Sequence, residues 1–274
     1  MTVHEAWMRC QQQIQPNMYE VIRAGSNACL YLDIERPQRL FLPPAVVPEF
    51  VGGMAGVDIE EFRSVNAAPW SAEQVAQAGT IIFEVVVALL QAAFRDADIV
   101  AGDVTILSSS APKKLSFHVV VPKLQFDQNV TSCAAVAWEI LNALEQRIES
   151  SLASLSSASE AEDVAQRATL LRLLNVNAQR PRHGSVVDMA VYSRNQCFRM
   201  IGNAKRGGLP LQAADPLRSH WPFVGDTELE LFRRDWTFRS IVNTLAVFSG
   251  ALVATRSADQ VREQSTITRV IPVR

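Results

Sequence analysis

The segment Leu30–Glu35 (LYLDIE) constrains the fold most, because apolar and polar side chains alternate along it. Successive side chains of a β-strand point to opposite faces, so the aliphatic residues face a core while Tyr31, Asp33 and Glu35 share the other face. Two carboxylates side by side on a rigid strand can hold a divalent metal. Many exposed strands also carry two acids, so this pattern predicts a metal site only in combination with other segments of the sequence.

A second strand is predicted over Leu115–Val121, directly after Lys114. Ser116 and His118 are two residues apart and therefore share a face, with Lys114 on the same parity. A hydroxyl, an imidazole and an ammonium group in this arrangement can all contact one phosphate chain. The alternative is that His118 is a hydrogen-bonded core histidine and Ser116 an ordinary strand residue.

A third segment, Val186–Tyr192, is predicted to pair as a hairpin with Cys197–Ile201. Asp188 interrupts an apolar strand, which costs free energy unless the carboxylate is paired or bound to a metal. It could equally face solvent or pair with an arginine. Four cations and no acid follow between positions 194 and 206: Arg194, Arg199, Lys205 and Arg206. Basic hairpins are often solvated edges, but beside a buried acid this one is interpreted as a phosphate cradle.

The overall composition excludes several classes of protein. The 274 residues are 48% hydrophobic and carry a net charge of −2, which suits a globular core and does not indicate a generally basic nucleic-acid binder. No cysteine pair has a Cys-x-x-Cys spacing, so four free thiols in an intracellular compartment are expected. No stretch is expected to span a membrane, since Ile81–Phe94 and Ile241–Ala254 are interrupted by polar residues.

Strands and helices do not alternate regularly, which favours an α+β fold. Further strands are predicted at Tyr19–Ile22 and Val104–Leu107. Helices are predicted from an N-cap at Ser71 to Phe94 and over residues 131–149. Residues 36–72 are expected to form a loop with at most one helical turn, and 150–163 a linker or solvated helix.

Together, the segments Leu30–Glu35 (LYLDIE), Lys114–His118 (KLSFH) and Val187–Lys205 (VDMAVYSRNQCFRMIGNAK) resemble the motifs of the archaeo-eukaryotic primase superfamily, in its eukaryotic primase-polymerase branch. That family has an Asp-x-Glu motif, a Ser-x-His motif, and an Asp followed by Val-Tyr and a basic hairpin. The segment Tyr19–Ile22 and the pair Trp7 and Arg9 add to the resemblance, which runs from residue 4 to residue 208.

The resemblance implies a primase catalytic core, with an RRM-like mixed or antiparallel sheet and flanking helices. The core would span residues 1–254, with a truncated N-terminal module at 1–30 and a variable linker insertion at 150–180. Residues 255–274 would form a polar tail. It also implies a location in the nucleus or a mitochondrion.

The resemblance further implies a DNA-directed nucleotidyltransferase that extends a primer with nucleoside triphosphates and two Mn²⁺ or Mg²⁺ ions. A DNA template-primer would be its partner, and a single-strand-binding protein a further one. The metal ligands would be Asp33, Glu35 and Asp188. Contacts to the triphosphate would come from Ser109, Lys114, Ser116, His118, Arg199 and Lys205, and a contact to template DNA from Arg9.

Three departures from the family pattern shape the expected activity. Gln196 and Cys197 stand where the family carries a basic and a polar residue, the N-terminal module is short, and no cysteine follows Cys197 to build the branch's zinc finger. Extension or gap filling is therefore expected rather than the starting of primers. The alternatives are a non-catalytic relative with a structural or recruitment role in DNA replication or repair, and a metal-dependent nuclease, since paired acids also serve hydrolysis.

Overall fold

A computed structural model describes residues 19–23, 27–38, 57–126, 129–155, 160–174, 186–200, 203–205 and 207–214. Within these ranges the fold is mixed α+β, as the sequence predicts. The strands are β1 (Tyr19–Ile22), β2 (Ala28–Pro37), β3 (Thr105–Ser108), β4 (Lys114–Phe126), β5 (Gln196–Arg199) and β6 (Gln212–Ala213). The α-helices are α1 (Ile59–Ala67), α2 (Ala72–Ala93), α3 (Ala134–Ser154) and α4 (Ala161–Leu173).

The main sheet has four antiparallel strands in the order β2-β4-β3-β6, and β1 pairs separately with β5. β2 is paired with β4 along its whole length, with a register shift between Cys29 and Leu30. Since side chains alternate on both strands, this register places all polar residues of the two strands' central segments on one face.

The opposite face of the sheet belongs to the hydrophobic core. Leu32 and Ile34 of β2 and Phe117 of β4 are buried there. Helix α2 crosses this face, and Gly79 lies close enough that a Cβ added there would be 3.5 Å from the Phe117 ring. The helices therefore cover one face of the sheet and leave the face with the acids for a site.

Helix α2 begins where the sequence predicts. The Ser71 hydroxyl accepts a hydrogen bond from the Gln74 backbone, and the Gln74 side chain accepts one from the Ser71 backbone, which forms a capping box. Contrary to the expectation from sequence, α2 is long and apolar enough to cross a membrane by length and composition alone. A core helix passes the same test, and α2 buries Ile82 and Val86 in the core.

Two segments differ from the predicted loop and linker. Residues 36–72 contain the nine-residue helix α1, capped by the Asp58 side chain. Within the expected linker insertion at 150–180, α3 continues to Ser154 and α4 packs against α1, α2 and α3. Two buried arginines join α4 to its surroundings: Arg36 donates to the carbonyls of Arg172 and Leu174, and Arg172 lies 3.8 Å from the centre of the Trp70 ring.

The predicted hairpin of Val186–Tyr192 with Cys197–Ile201 is wrong. Val187 makes a single bridge to Ile34, and Met189–Tyr192 then forms a 3₁₀ turn. β5 pairs with β1, far away in the sequence, instead of with the preceding segment. The Asp188 carboxylate accepts a hydrogen bond from the Ala190 backbone 2.9 Å away, so it caps this turn, and that local bond competes with an extended strand.

The three described cysteines, Cys29, Cys133 and Cys197, are free, as expected. The predicted DNA contact Arg9, the N-terminal module up to residue 18, Arg206 and the tail 255–274 lie outside the described residues.

Candidate functional site

The three predicted acidic ligands are held on neighbouring main-chain segments. Asp33 and Glu35 lie on β2. The Asp188 backbone N–H donates to the Asp33 carbonyl oxygen at 2.7 Å, and the Glu35 N–H donates to the Val186 carbonyl oxygen at 2.8 Å. These two bonds place the segment that carries Asp188 along the free edge of β2, beside both of the other acids.

Two buried tyrosines hold the segment that carries Asp188 against β2. The Tyr192 hydroxyl donates to the Tyr31 carbonyl, and the Tyr31 hydroxyl donates to the Val191 carbonyl at 3.0 Å. Their ring centres are 4.9 Å apart, and both residues are buried. Each tyrosine thus bonds to the main chain near the other, which ties the Asp188 turn to β2.

Replacing Tyr192 by Phe is expected to lower the free energy of unfolding by about 1–2 kcal/mol, because a buried carbonyl loses a donor while the ring remains. Chemical denaturation measures this change. Tyr19→Phe on β1 is the matched control, and we expect it to change stability by less than about 0.5 kcal/mol. Equal effects of the two variants would show that the Tyr192 hydroxyl does not fix the turn.

Asp33 is the most perturbed acid of the site. Its side chain is only 14% exposed. Burial, and then the nearby charges of Glu35 and Asp188, raise its pKa from 3.8 to about 7. Its Oδ1 atom is buried and accepts no hydrogen bond from any residue that the structure describes. A buried carboxylate oxygen without a donor is destabilising unless a proton or a cation arrives.

His118 lies directly across the ladder from Asp33, as Ser116 does from Glu35. Burial, followed by the charges of Arg199 and Lys205, lowers the pKa of His118 to about 3. The imidazole is therefore neutral at physiological pH, and its Nε2, 3.8 Å from Asp33 Oδ1, is not part of an ion pair. The ring stacks on Phe198 with centres 4.1 Å apart, which fixes its orientation. A neutral imidazole in this place can act as a hydrogen-bond donor to an anion.

Arg199 supplies a buried positive charge. The residue is 5% exposed, and its guanidinium donates to the Ser109 hydroxyl at 2.9 Å and to the Leu209 carbonyl at 3.4 Å. The Ser109 hydroxyl donates in turn to Ser116 Oγ at 3.2 Å. In the described part of the chain no carboxylate pairs with Arg199, and its Nε has no hydrogen-bond partner. A buried guanidinium with only neutral partners is suited to an anionic ligand.

Two further cations lie on the solvent-exposed side of the three acids. Lys114 Nζ lies 2.5 Å from Glu35 Oε1, and Lys205 Nζ lies 3.8 Å from the same oxygen. The structure therefore brings all nine predicted site residues that it describes to one face of β2 and β4. Acids occupy the edge formed by β2, and cations and hydroxyls surround them.

The donor set has the chemistry of a divalent-metal site, since carboxylate oxygens suit Mg²⁺ and Mn²⁺. The unpartnered Oδ1 of Asp33 also fits a cation. However, among the residues that the structure describes, no group of three His, Cys, Asp or Glu side chains is arranged to hold a metal ion. The Glu35 carboxylate is engaged by the lysines, and one oxygen of Asp188 caps the turn at Ala190.

No family model and no curated protein matches the chain. Acids at the edge formed by β2, with cations and hydroxyls around them, suit a ligand that carries both negative charge and divalent cations.

Several residues of the site are not among the sequence predictions. The sequence predicts that Tyr31 shares the face of the acids, but it does not predict the bond from Tyr31 to the Asp188 turn. The sequence predictions do not include Phe198, which orients His118, or Ser110, whose hydroxyl accepts from the Ser116 backbone at 2.9 Å. The only signal for Ser110 is the run of three serines at 108–110 before the second motif.

Proposed function

We propose that this protein is a nucleotidyltransferase of the primase-polymerase type, which extends a primer on a DNA template with deoxynucleoside triphosphates. The observation that carries the proposal is the pairing of two strands: Asp33 and Glu35 on β2 lie opposite His118 and Ser116 on β4, with Asp188 bonded to the β2 main chain. The DNA template and the deoxynucleotide substrate follow from the sequence resemblance.

The cations and hydroxyls support binding of a triphosphate. Arg199, with its unused Nε and its bond to Ser109, would contact the phosphate chain from the buried side. Ser116 and His118 would donate hydrogen bonds to phosphate oxygens from β4. Lys114 and Lys205 would approach from the solvent side, since both are partly exposed. This division would place one buried guanidinium and two neutral donors on the buried side of the site, and the two lysines on its solvent side.

The three acids would hold the divalent ions. When bound, such ions neutralise phosphate charge and make a hydroxyl a better nucleophile. The chain's own contribution is positional: the bonds from Asp188 to Asp33 and from Glu35 to Val186 fix the spacing of the acids before any ligand arrives. Because the Asp33 side chain is only 14% exposed, its position would exclude water from one side of the reacting groups.

A specific observation favours a second candidate, a non-catalytic relative that serves a structural or recruitment role in DNA replication or repair. The described residues hold no ready group of three metal-binding side chains, and Glu35 already has a lysine partner. Such a protein could keep the fold and the anion-binding cations without supporting catalysis.

Primer extension separates the two candidates. With a labelled primer on a DNA template, Mn²⁺ and deoxynucleotides, we expect products that lengthen one nucleotide at a time and follow the template sequence. Omission of Mn²⁺, of template or of nucleotides should each abolish the products. Absence of products with Mn²⁺ and with Mg²⁺ would favour the non-catalytic role, and shortening of the labelled DNA without nucleotides would indicate a nuclease.

A further inference from the structure

Glu35 has two cationic neighbours on one oxygen. Lys114 and Lys205 come from separate parts of the chain, the first residue of β4 and the segment after β5, yet both ammonium groups approach Glu35 Oε1, at 2.5 Å and 3.8 Å. Asp33 and Asp188 lie next to Glu35, and among the described residues neither of these two carboxylates forms an ion pair with a lysine or an arginine. The two lysines thus neutralise the charge of Glu35, the acid of this cluster that they contact.

These ion pairs are easily exchanged. The side chains of Lys114 and Lys205 are 38% and 59% exposed, and that of Glu35 is 26% exposed. Ion pairs with this much access to water contribute little to stability, because solvent screens the charges and long side chains lose rotamer freedom. A ligand that offers both a stronger cation for Glu35 and an anion for the lysines can therefore displace both interactions at once.

We propose that Lys114 and Lys205 take the place of a divalent cation on Glu35 while nucleotide is absent, so that the site accepts the ion together with a triphosphate rather than the free ion. This inference rests on the proposed function. The triphosphate draws the ammonium groups from Glu35 to its own oxygens, and the vacated carboxylate oxygen then binds the ion. The same exchange explains why the acids do not form a ready metal-binding group in the described structure.

The inference predicts opposite effects of one substitution on two ligands. Lys114→Gln removes a competitor for Glu35 and also removes a phosphate contact. We expect the affinity for Mn²⁺ alone to rise about threefold to tenfold, since a weak ion pair no longer has to be broken, and the affinity for the Mn²⁺–nucleotide complex to fall by a similar factor. Lys205→Gln should act in the same directions with smaller changes, because its contact is longer.

Electron paramagnetic resonance of free Mn²⁺, with and without a non-hydrolysable deoxynucleoside triphosphate, measures both affinities in the full chain. Lys113→Gln is the matched control. Lys113 is the residue before Lys114 and lies at an exposed turn position, so this variant removes the same charge from outside the site. We expect Lys113→Gln to change the affinity for Mn²⁺ alone less than about twofold, since general charge effects are screened. Circular dichroism checks that all variants are folded.

The outcomes separate this inference from the proposed function. If Lys114→Gln and Lys113→Gln bind Mn²⁺ alone equally well while the wild type still binds the Mn²⁺–nucleotide complex, the inference is overturned and the proposed function stands. If no variant binds Mn²⁺ or nucleotide under any condition, both are overturned. A rise in Mn²⁺ affinity confined to Lys114→Gln and Lys205→Gln, with a loss of nucleotide affinity, supports both.

Discussion

Replacing Asp188 by Asn is expected to reduce templated nucleotide incorporation by about 1,000-fold, because under the proposed function Asp188 helps to hold the divalent cations that neutralise the negative charge developing during transfer. The fold should survive. The Asn side chain keeps an oxygen that can accept from the Ala190 backbone, and the backbone bond from residue 188 to the Asp33 carbonyl does not involve the side chain. Single-turnover primer extension with Mn²⁺ measures the loss.

Asp58→Asn provides the matched control for this experiment. Asp58 also caps a helix, by accepting from the Glu61 backbone at 2.8 Å, but it lies at the start of α1 and is not part of the candidate site. We expect incorporation by Asp58→Asn within about twofold of the wild type, with a stability change below about 1 kcal/mol. Comparable activity of Asp188→Asn and the wild type would refute the assignment of Asp188 as a metal ligand.

Replacing Asp33 by Asn is expected to stabilise the metal-free protein at pH 8 by an amount on the order of 3 kcal/mol, and to have almost no effect near pH 4. The pKa of Asp33 is raised from 3.8 to about 7, so the folded state binds a proton more tightly than the unfolded chain does. The stabilisation that comes from this protonated carboxyl is complete below pH 4 and is lost as the pH rises towards 7. Above that pH an ionised, buried carboxylate remains, and Asn avoids it.

Urea denaturation at several pH values in the presence of a chelator measures this effect. Glu84→Gln removes an exposed acid from the middle of α2 and serves as the control, with an expected change below about 0.5 kcal/mol at every pH. A difference between Asp33→Asn and the wild type that stays constant from pH 4 to pH 8 would contradict the raised pKa. Added Mn²⁺ should narrow the difference at pH 8, since bound cation favours the ionised carboxylate.

Local patterns in the sequence predicted those parts of the fold that depend on periodicity and capping. The alternation in Leu30–Glu35 predicted β2 and placed Asp33 and Glu35 on one face. Ser71 and the apolar run after it predicted α2 almost to the residue. Both signals come from neighbouring residues, whose geometry is set by the backbone itself, so no knowledge of distant contacts was needed.

Segments whose structure depends on distant partners were not predicted correctly. Val186–Tyr192 has the composition of a strand, yet its capping bond from Asp188 and the hydroxyl of Tyr192 hold it as a bridge and a 3₁₀ turn against β2. Helix α4 has few local signals of burial, but Arg172 and the leucines near its end are buried by packing on other helices. Tyr192 and its partner Tyr31 are 161 residues apart in the chain, and Arg172 and its partner Gln74 are 98 residues apart.

The sequence by itself determined which residue types are available at the site and which face of each strand they occupy, because side-chain alternation is a local property of the backbone. The tertiary structure decided how these faces meet: the antiparallel register puts His118 opposite Asp33, and β5 brings Arg199 to Ser109. It also decided the charge state of the site, since the burial that raises the pKa of Asp33 and lowers that of His118 arises only when distant segments exclude water around them.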